Sequence, residues 1–161
     1  RRMYSSFQER TQAMWLNRDA NLPIENLSEV LTLASIIEKE TSYSGEKARI
    51  AGVFYNRLKI NMKLQSDPTV IYSIFLKTGE KKAKLLKNDL KYLSAYNTYL
   101  HKGLPPGPIC LPGLDSINAA LHPVRTDELY FVADGAKRHI FSRTLKEHNK
   151  HVHHLRKRES N

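Results

Sequence analysis

Two carboxylates two residues apart, Glu38 and Glu40, stand at the end of the most apolar stretch of the chain. A carboxyl group at the edge of an apolar surface loses hydration, which raises its pKa and lets it act as an acid near neutrality. On an ideal helix the two lie about 200° apart, so at most one faces a given cleft. Periodicity does not choose between them, because both sit at similar angles from the centre of the apolar face. The plainer alternative, two solvated residues of a last turn, is what spacing alone favours. A second group follows in Leu64-Gln65-Ser66-Asp67-Pro68-Thr69. Gln65 and Ser66 carry short polar groups of the kind that position sugar hydroxyls. Asp67 is either a second catalytic carboxylate or the N-cap of a helix with Pro68 at its first position, and the N-cap role suffices to explain it.

A third group lies in the segment 95–113, expected to be extended and stiffened by its prolines. Tyr96, Asn97, Thr98 and Tyr99 beside the frame Gly103-Leu104-Pro105-Pro106-Gly107-Pro108 suit a saccharide cleft. Loops this long are more often functional than ornamental. The histidines His148, His151 and His154 are spaced at i, i+3, but no carboxylate or cysteine completes a zinc motif, so no metal is expected. Cys110, the only cysteine, sits in the proline-rich loop without an evident base and makes a poor nucleophile.

The elements that must position these groups can be read from apolar spacing. A helix is expected over 3–18. A second runs from an N-cap at Asn26, with Glu29 three positions on, to about Thr41. Its residues Leu27, Val30, Leu31, Leu33, Ala34, Ile36 and Ile37 cover so wide a face that it should be buried on most sides. Ser44-Gly45 is read as a break before a helix over about 46–58. Further helices are expected after Asp67 and over 115–121. Strands 129–133 and 138–142 flank Asp134-Gly135, a hairpin signal. Thr144 with Glu147 forms a capping box for a last helix. The fold class is α+β: mostly helices, one β-hairpin and one long ordered Pro/Gly-rich loop.

At 161 residues the chain fits one domain with a genuine core. No stretch approaches the roughly 18 apolar residues of a membrane span, and no signal-peptide pattern is present. The chain opens at Arg1-Arg2 without an initiator methionine, which reads as a trimmed piece of a longer protein. Its net charge of +10 implies an anionic partner. Much of that charge lies in the runs Lys77–Lys91 and Lys146–Arg158, each of which reads as a solvated face.

Taken in order, several segments are similar to the YceG-like (MltG) family of endolytic lytic transglycosylases. They are Ala34–Thr41 (ASIIEKET), Val53–Leu58 (VFYNRL), Leu64–Tyr72 (LQSDPTVIY), Tyr96–Tyr99 (YNTY), Gly103–Ile109 (GLPPGPI), Pro112-Gly113 and Tyr130–Ala133 (YFVA). His139 with Phe141-Ser142, and Glu147–Asn149, close the series, which spans about Leu31 to about Val152. The resemblance implies a lysozyme-like, mostly helical catalytic domain. It makes Glu40, the glutamate followed by Thr41, the acid/base, with Glu38 and Asp67 as supports. Gln65, Ser66, Asn97, Thr98 and Tyr99 are then expected to line a glycan cleft, with no cofactor. The implied reaction cuts the bond between N-acetylmuramic acid and N-acetylglucosamine in nascent peptidoglycan strands, leaves 1,6-anhydro ends and terminates strand elongation. The family also implies a membrane-spanning helix and a LysM-like domain upstream. An inner-membrane protein facing the periplasm or cell exterior is therefore expected, touching the membrane through that missing helix and working with membrane-bound synthases. The domain reading is 1–25 as an N-terminal helix and connection, 26–155 as the catalytic domain and 156–161 as a basic tail. The competing readings are a non-catalytic peptidoglycan-binding module, a hydrolytic muramidase and, from charge alone, a nucleic-acid-binding domain. No groove-reading or base-stacking motif supports the last, so no nucleic-acid partner is expected.

Overall fold

The computed structural model describes residues 2–159, with side chains from Ser5 to Arg158. The helices are α1 (Arg2–Leu16), α2 (Leu27–Glu40), α3 (Ser44–Lys59), α4 (Asp67–Thr78), α5 (Leu114–Leu121) and α6 (Leu145–Glu159). A single 3-10 turn spans Asp89–Lys91, and strands β1 (Tyr130–Ala133) and β2 (His139–Ser142) pair antiparallel. The expected α+β class is what the chain adopts. Among the described residues no helix is long and apolar enough to cross a membrane.

The wide apolar face of α2 has the physical consequence expected of it. Val30, Leu33, Ala34, Ile36 and Ile37 are fully buried, and α1, α3, α4 and α5 all pack on this helix. Asn26 caps it, its side chain accepting from the Glu29 amide at 3.0 Å. The short α5 also packs against α1, α2 and α3, with Ile117, Ala120 and Leu121 buried. Its last carbonyls, which no helical amide can reach, find other donors. The Tyr55 hydroxyl donates to Ala120 O at 2.7 Å and the Asp19 amide to Leu121 O at 3.0 Å. Gly52 lets α3 approach the segment after α5, because a Cβ there would lie 2.3 Å from Val124 O.

Three local expectations need correction. Ser44 and Gly45 do not interrupt the helix; they form its first turn. The segment 95–113 lacks regular structure, as expected, but is not extended throughout: the Leu100 and His101 amides both donate to Asn97 O in a tight turn. Its later part is pinned to α2, where Ser35 Oγ accepts from the Ile109 amide at 2.9 Å. The hairpin turn is five residues long, because Asp134 Oδ1 accepts from the Ala136 and Arg138 amides and holds the chain open. The Thr144–Glu147 capping box forms as expected, each side chain accepting from the other's amide at 3.2 Å. Arg156, Lys157 and Arg158 continue α6. A two-stranded hairpin is marginal alone; here it packs on α3 and α6, with Phe131 edge-on to Phe54 at 5.7 Å.

Replacing Tyr55 by Phe leaves the Ala120 carbonyl buried without its donor, and is expected to cost about 1–2 kcal/mol. A fall in the urea midpoint at unchanged slope checks this.

Candidate active site

The structure separates the two carboxylates that the sequence left equivalent. Glu38 Oε2 accepts from Ser116 Oγ at 2.5 Å, from Lys47 Nζ at 3.2 Å and from the Gly113 amide at 3.2 Å. It therefore sits at the N-terminus of α5, where the helix dipole favours an anion. The Ser116 bond foremost, with Lys47 and the Gly113 amide, outweighs desolvation and lowers its pKa. Glu38 is an anchored anion that joins α2, α3 and α5.

Glu40 has the opposite surroundings. The residue keeps some exposure, yet its carboxyl is so far removed from water that its pKa is raised to about 7. Desolvation is the main cause; the Ser66 hydrogen bond opposes it, the Asp67 charge adds to it and the Arg57 charge opposes it. Ser66 Oγ donates to Glu40 Oε1 at 2.5 Å. A carboxyl group that is half protonated near neutrality can both give and take a proton.

Ser66 is held by a small buried network. Its amide donates to Thr98 Oγ1 at 3.0 Å, Thr98 Oγ1 lies 2.9 Å from Thr69 Oγ1, and Thr69 Oγ1 donates to Ser66 O at 2.6 Å. Gln65 takes a left-handed backbone, φ 50°, and its amide donates to Thr98 O at 3.1 Å. Asp67 is not the N-cap expected of it. Ser66 occupies that position and Asp67 is the first helical residue, with its carboxylate accepting from Tyr99 Oη at 2.5 Å. The Ser66 side chain makes no cap bond, because its hydroxyl is directed to Glu40. Burial first, then Asp67, raises the Tyr99 pKa, so the phenol stays protonated as a donor.

Ser66 and Tyr99 are thus brought to Glu40, and Gln65 and Thr98 are tied to them through the backbone around Ser66. Gln65 is exposed and Tyr99 half-buried, while Ser66 is buried. Asn97 and Thr98 stand elsewhere than the cleft lining expected of them. Asn97 is fully buried, its amide donating to Leu90 O and Tyr92 O and its Oδ1 accepting from the Tyr99 amide at 2.9 Å. Thr98 spends its hydroxyl on the Ser66–Thr69 network. Both polar groups are consumed in shaping the loop.

Sequence reasoning missed Arg57. Its buried guanidinium donates to Leu129 O at 2.6 Å and Leu64 O at 2.7 Å, tying α3 to the residue before β1 and to the segment before Ser66. It lies 5.2 Å from the Tyr130 ring and acts electrostatically on Glu40. The available signal was a cation inside the otherwise apolar run Val53–Leu58. The histidines are dispersed: His139 Nδ1 pairs with Glu46 Oε2 at 2.9 Å, and His148 stacks on Tyr130 at 5.3 Å. Among the described residues no cluster of three or more His, Cys, Asp or Glu is placed to hold a metal ion.

The model of the YceG-like family matches residues 1–154. An endolytic murein transglycosylase of Bacillus subtilis (strain 168) is 49% identical over 125 residues, covering 78% of this chain and 34% of that protein. An endolytic murein transglycosylase of Streptococcus pneumoniae serotype 2 is 37% identical over 129 residues, covering 78% of this chain and 23% of the relative. The chain therefore spans about a third or less of these relatives' length. A crystal structure of a YceG-like protein from Listeria monocytogenes superposes with a TM-score of 0.70 at 49% identity, covering 77% of this chain and 38% of that one. With a family model matched over nearly its whole length and a fold shared with a solved member, this chain belongs to the YceG-like family.

Proposed function

We propose that this chain cuts peptidoglycan strands internally by lytic transglycosylation, with Glu40 as the single acid/base. The observation that carries the reading is a desolvated carboxyl, raised to about 7, whose carboxylate neighbours are otherwise engaged. Glu38 is anchored by Ser116, Lys47 and Gly113, and Asp67 by Tyr99. Protonated Glu40 gives its proton to the glycosidic oxygen between N-acetylmuramic acid and N-acetylglucosamine. As the C1–O bond breaks, positive charge grows at the muramic anomeric carbon. The Glu40 carboxylate then takes the proton of that sugar's own 6-hydroxyl, whose oxygen bonds to C1 and closes a 1,6-anhydro ring. Water takes no part, so no second carboxylate has to activate it.

Arg57 and Ser66 stabilise the anion that Glu40 becomes between the two proton transfers, and Asp67 opposes it. Gln65 and Tyr99, the less buried members of the group, are assigned to the sugar. In the whole protein we place this portion outside the cytoplasmic membrane, beside the synthases that make the strands. Cutting there ends strand elongation. The net charge of +10 suits a carboxylate-rich polymer.

Glu40→Gln is expected to lower the rate by about 10²–10⁴-fold. Mass spectrometry of uncrosslinked strands checks both rate and product: internal cuts with 1,6-anhydro ends support the reading. Reducing muramic ends would replace it with a hydrolytic muramidase using Asp67, and strand binding without any cut would leave a binding module.

The acid form is the one that starts the reaction, so kcat/KM should fall as pH rises through about 7. Ser66 lowers the Glu40 pKa and Asp67 raises it. Ser66→Ala should therefore move this limb to higher pH and Asp67→Asn to lower pH, which pH–rate profiles of the two variants decide.

A further inference from the structure

A cavity of about 530 Å³ lies between α2, α4 and the lysine-rich segment that follows α4. Ile71 and Phe75 of α4 and Ile109 of the long loop give it an apolar lining, and Lys39 and Lys81 line it as well. Phe75 is 38% exposed, so part of its ring is open to a ligand. Among the described residues neither Lys39 nor Lys81 pairs with a carboxylate, whereas Lys82, also at the cavity, is bound by both oxygens of Asp89. The cavity thus joins an apolar surface to two cations that have no internal counter-charge, and its complement is a small, partly apolar ligand with carboxylates.

Its position narrows the ligand further. Lys39 directly precedes Glu40, and Pro68, another lining residue, directly follows Asp67. A muramic acid whose anomeric bond is held at Glu40 carries its peptide on the same ring, through the lactyl group. That peptide combines alanine methyl groups with free carboxylates. We propose that this cavity is a subsite for the stem peptide of the muramic acid being cut, with Lys39 and Lys81 holding its carboxylates and the α4 face its methyl groups. This inference rests on the reading of Glu40 as a peptidoglycan-cutting acid.

Cys110 also lines the cavity and is the only cysteine of the chain, so its alkylation reports occupancy without catalysis. A synthetic stem pentapeptide is expected to slow alkylation by iodoacetamide saturably. The Lys39→Ala/Lys81→Ala variant should need about a hundredfold more peptide, the loss of two charge-assisted contacts, and Lys39→Arg/Lys81→Arg should restore protection. With peptide-bearing strands the alanine variant should raise KM about a hundredfold at unchanged kcat. With strands stripped of peptide by an amidase it should match the parent. Peptide without protection, equal kinetic loss on both substrates, or protection by phosphatidylglycerol vesicles but not by peptide would overturn the subsite. Protection with no cutting of either strand would instead overturn the Glu40 reading while keeping the peptide site. Cutting with no protection would do the reverse.

Discussion

A carboxyl group that has lost its water must find its partners in the protein, and the Glu40–Ser66 hydrogen bond is where this chain meets that demand. Without desolvation Glu40 would be an ordinary carboxylate, almost wholly ionised at neutrality and useless as an acid. Without any partner its ionised form would be too costly to appear in the proposed cycle, which needs both states. The Ser66 hydroxyl and the more distant Arg57 charge offset part of the desolvation, while Asp67 opposes them. The resulting balance near 7 follows from these neighbours rather than from any property of glutamate.

Much of the surrounding architecture can be understood as holding Ser66 in place. The residue stands at the junction of Leu64, clamped through its carbonyl by Arg57, and α4, whose first turn is closed by Thr69. The long loop supplies Thr98, which binds the Ser66 amide and the Thr69 hydroxyl together. Asn97 in turn fixes that loop from beneath by three hydrogen bonds. Such a network tolerates little substitution, because each hydroxyl in it is buried and would be left unpaired by the loss of its neighbour.

Glu38 has the same chemistry as Glu40 and the opposite use. Two residues earlier on one helix, it meets the amide of Gly113 and the hydroxyl of Ser116 at the start of α5, together with Lys47 from α3. It holds together the helices against which the Glu40 end of α2 is set. The pair shows how a helix turn of about 200° can send one carboxyl group into a cationic joint with Lys47 and its twin into a desolvated site beside Ser66.

The sequence by itself determined the elements, because their signals are local. The apolar breadth of α2, the cap at Asn26, the capping box at Thr144 and Glu147 and the existence of a hairpin depend on residues a few positions apart. Even there the neighbours decided details: Asp134 opened the hairpin turn, and Ser66 took the cap position from Asp67 while giving its hydroxyl away. The resemblance of its motifs pointed to Glu40, but nothing in periodicity distinguished it from Glu38. Only the tertiary structure did so, because the deciding partners are remote in the chain: Ser66 stands 26 residues from Glu40, Ser116 78 from Glu38, and Leu129 72 from Arg57. Ionisation depends on which dipoles and charges surround a carboxyl in space, and those are set only when the helices have packed.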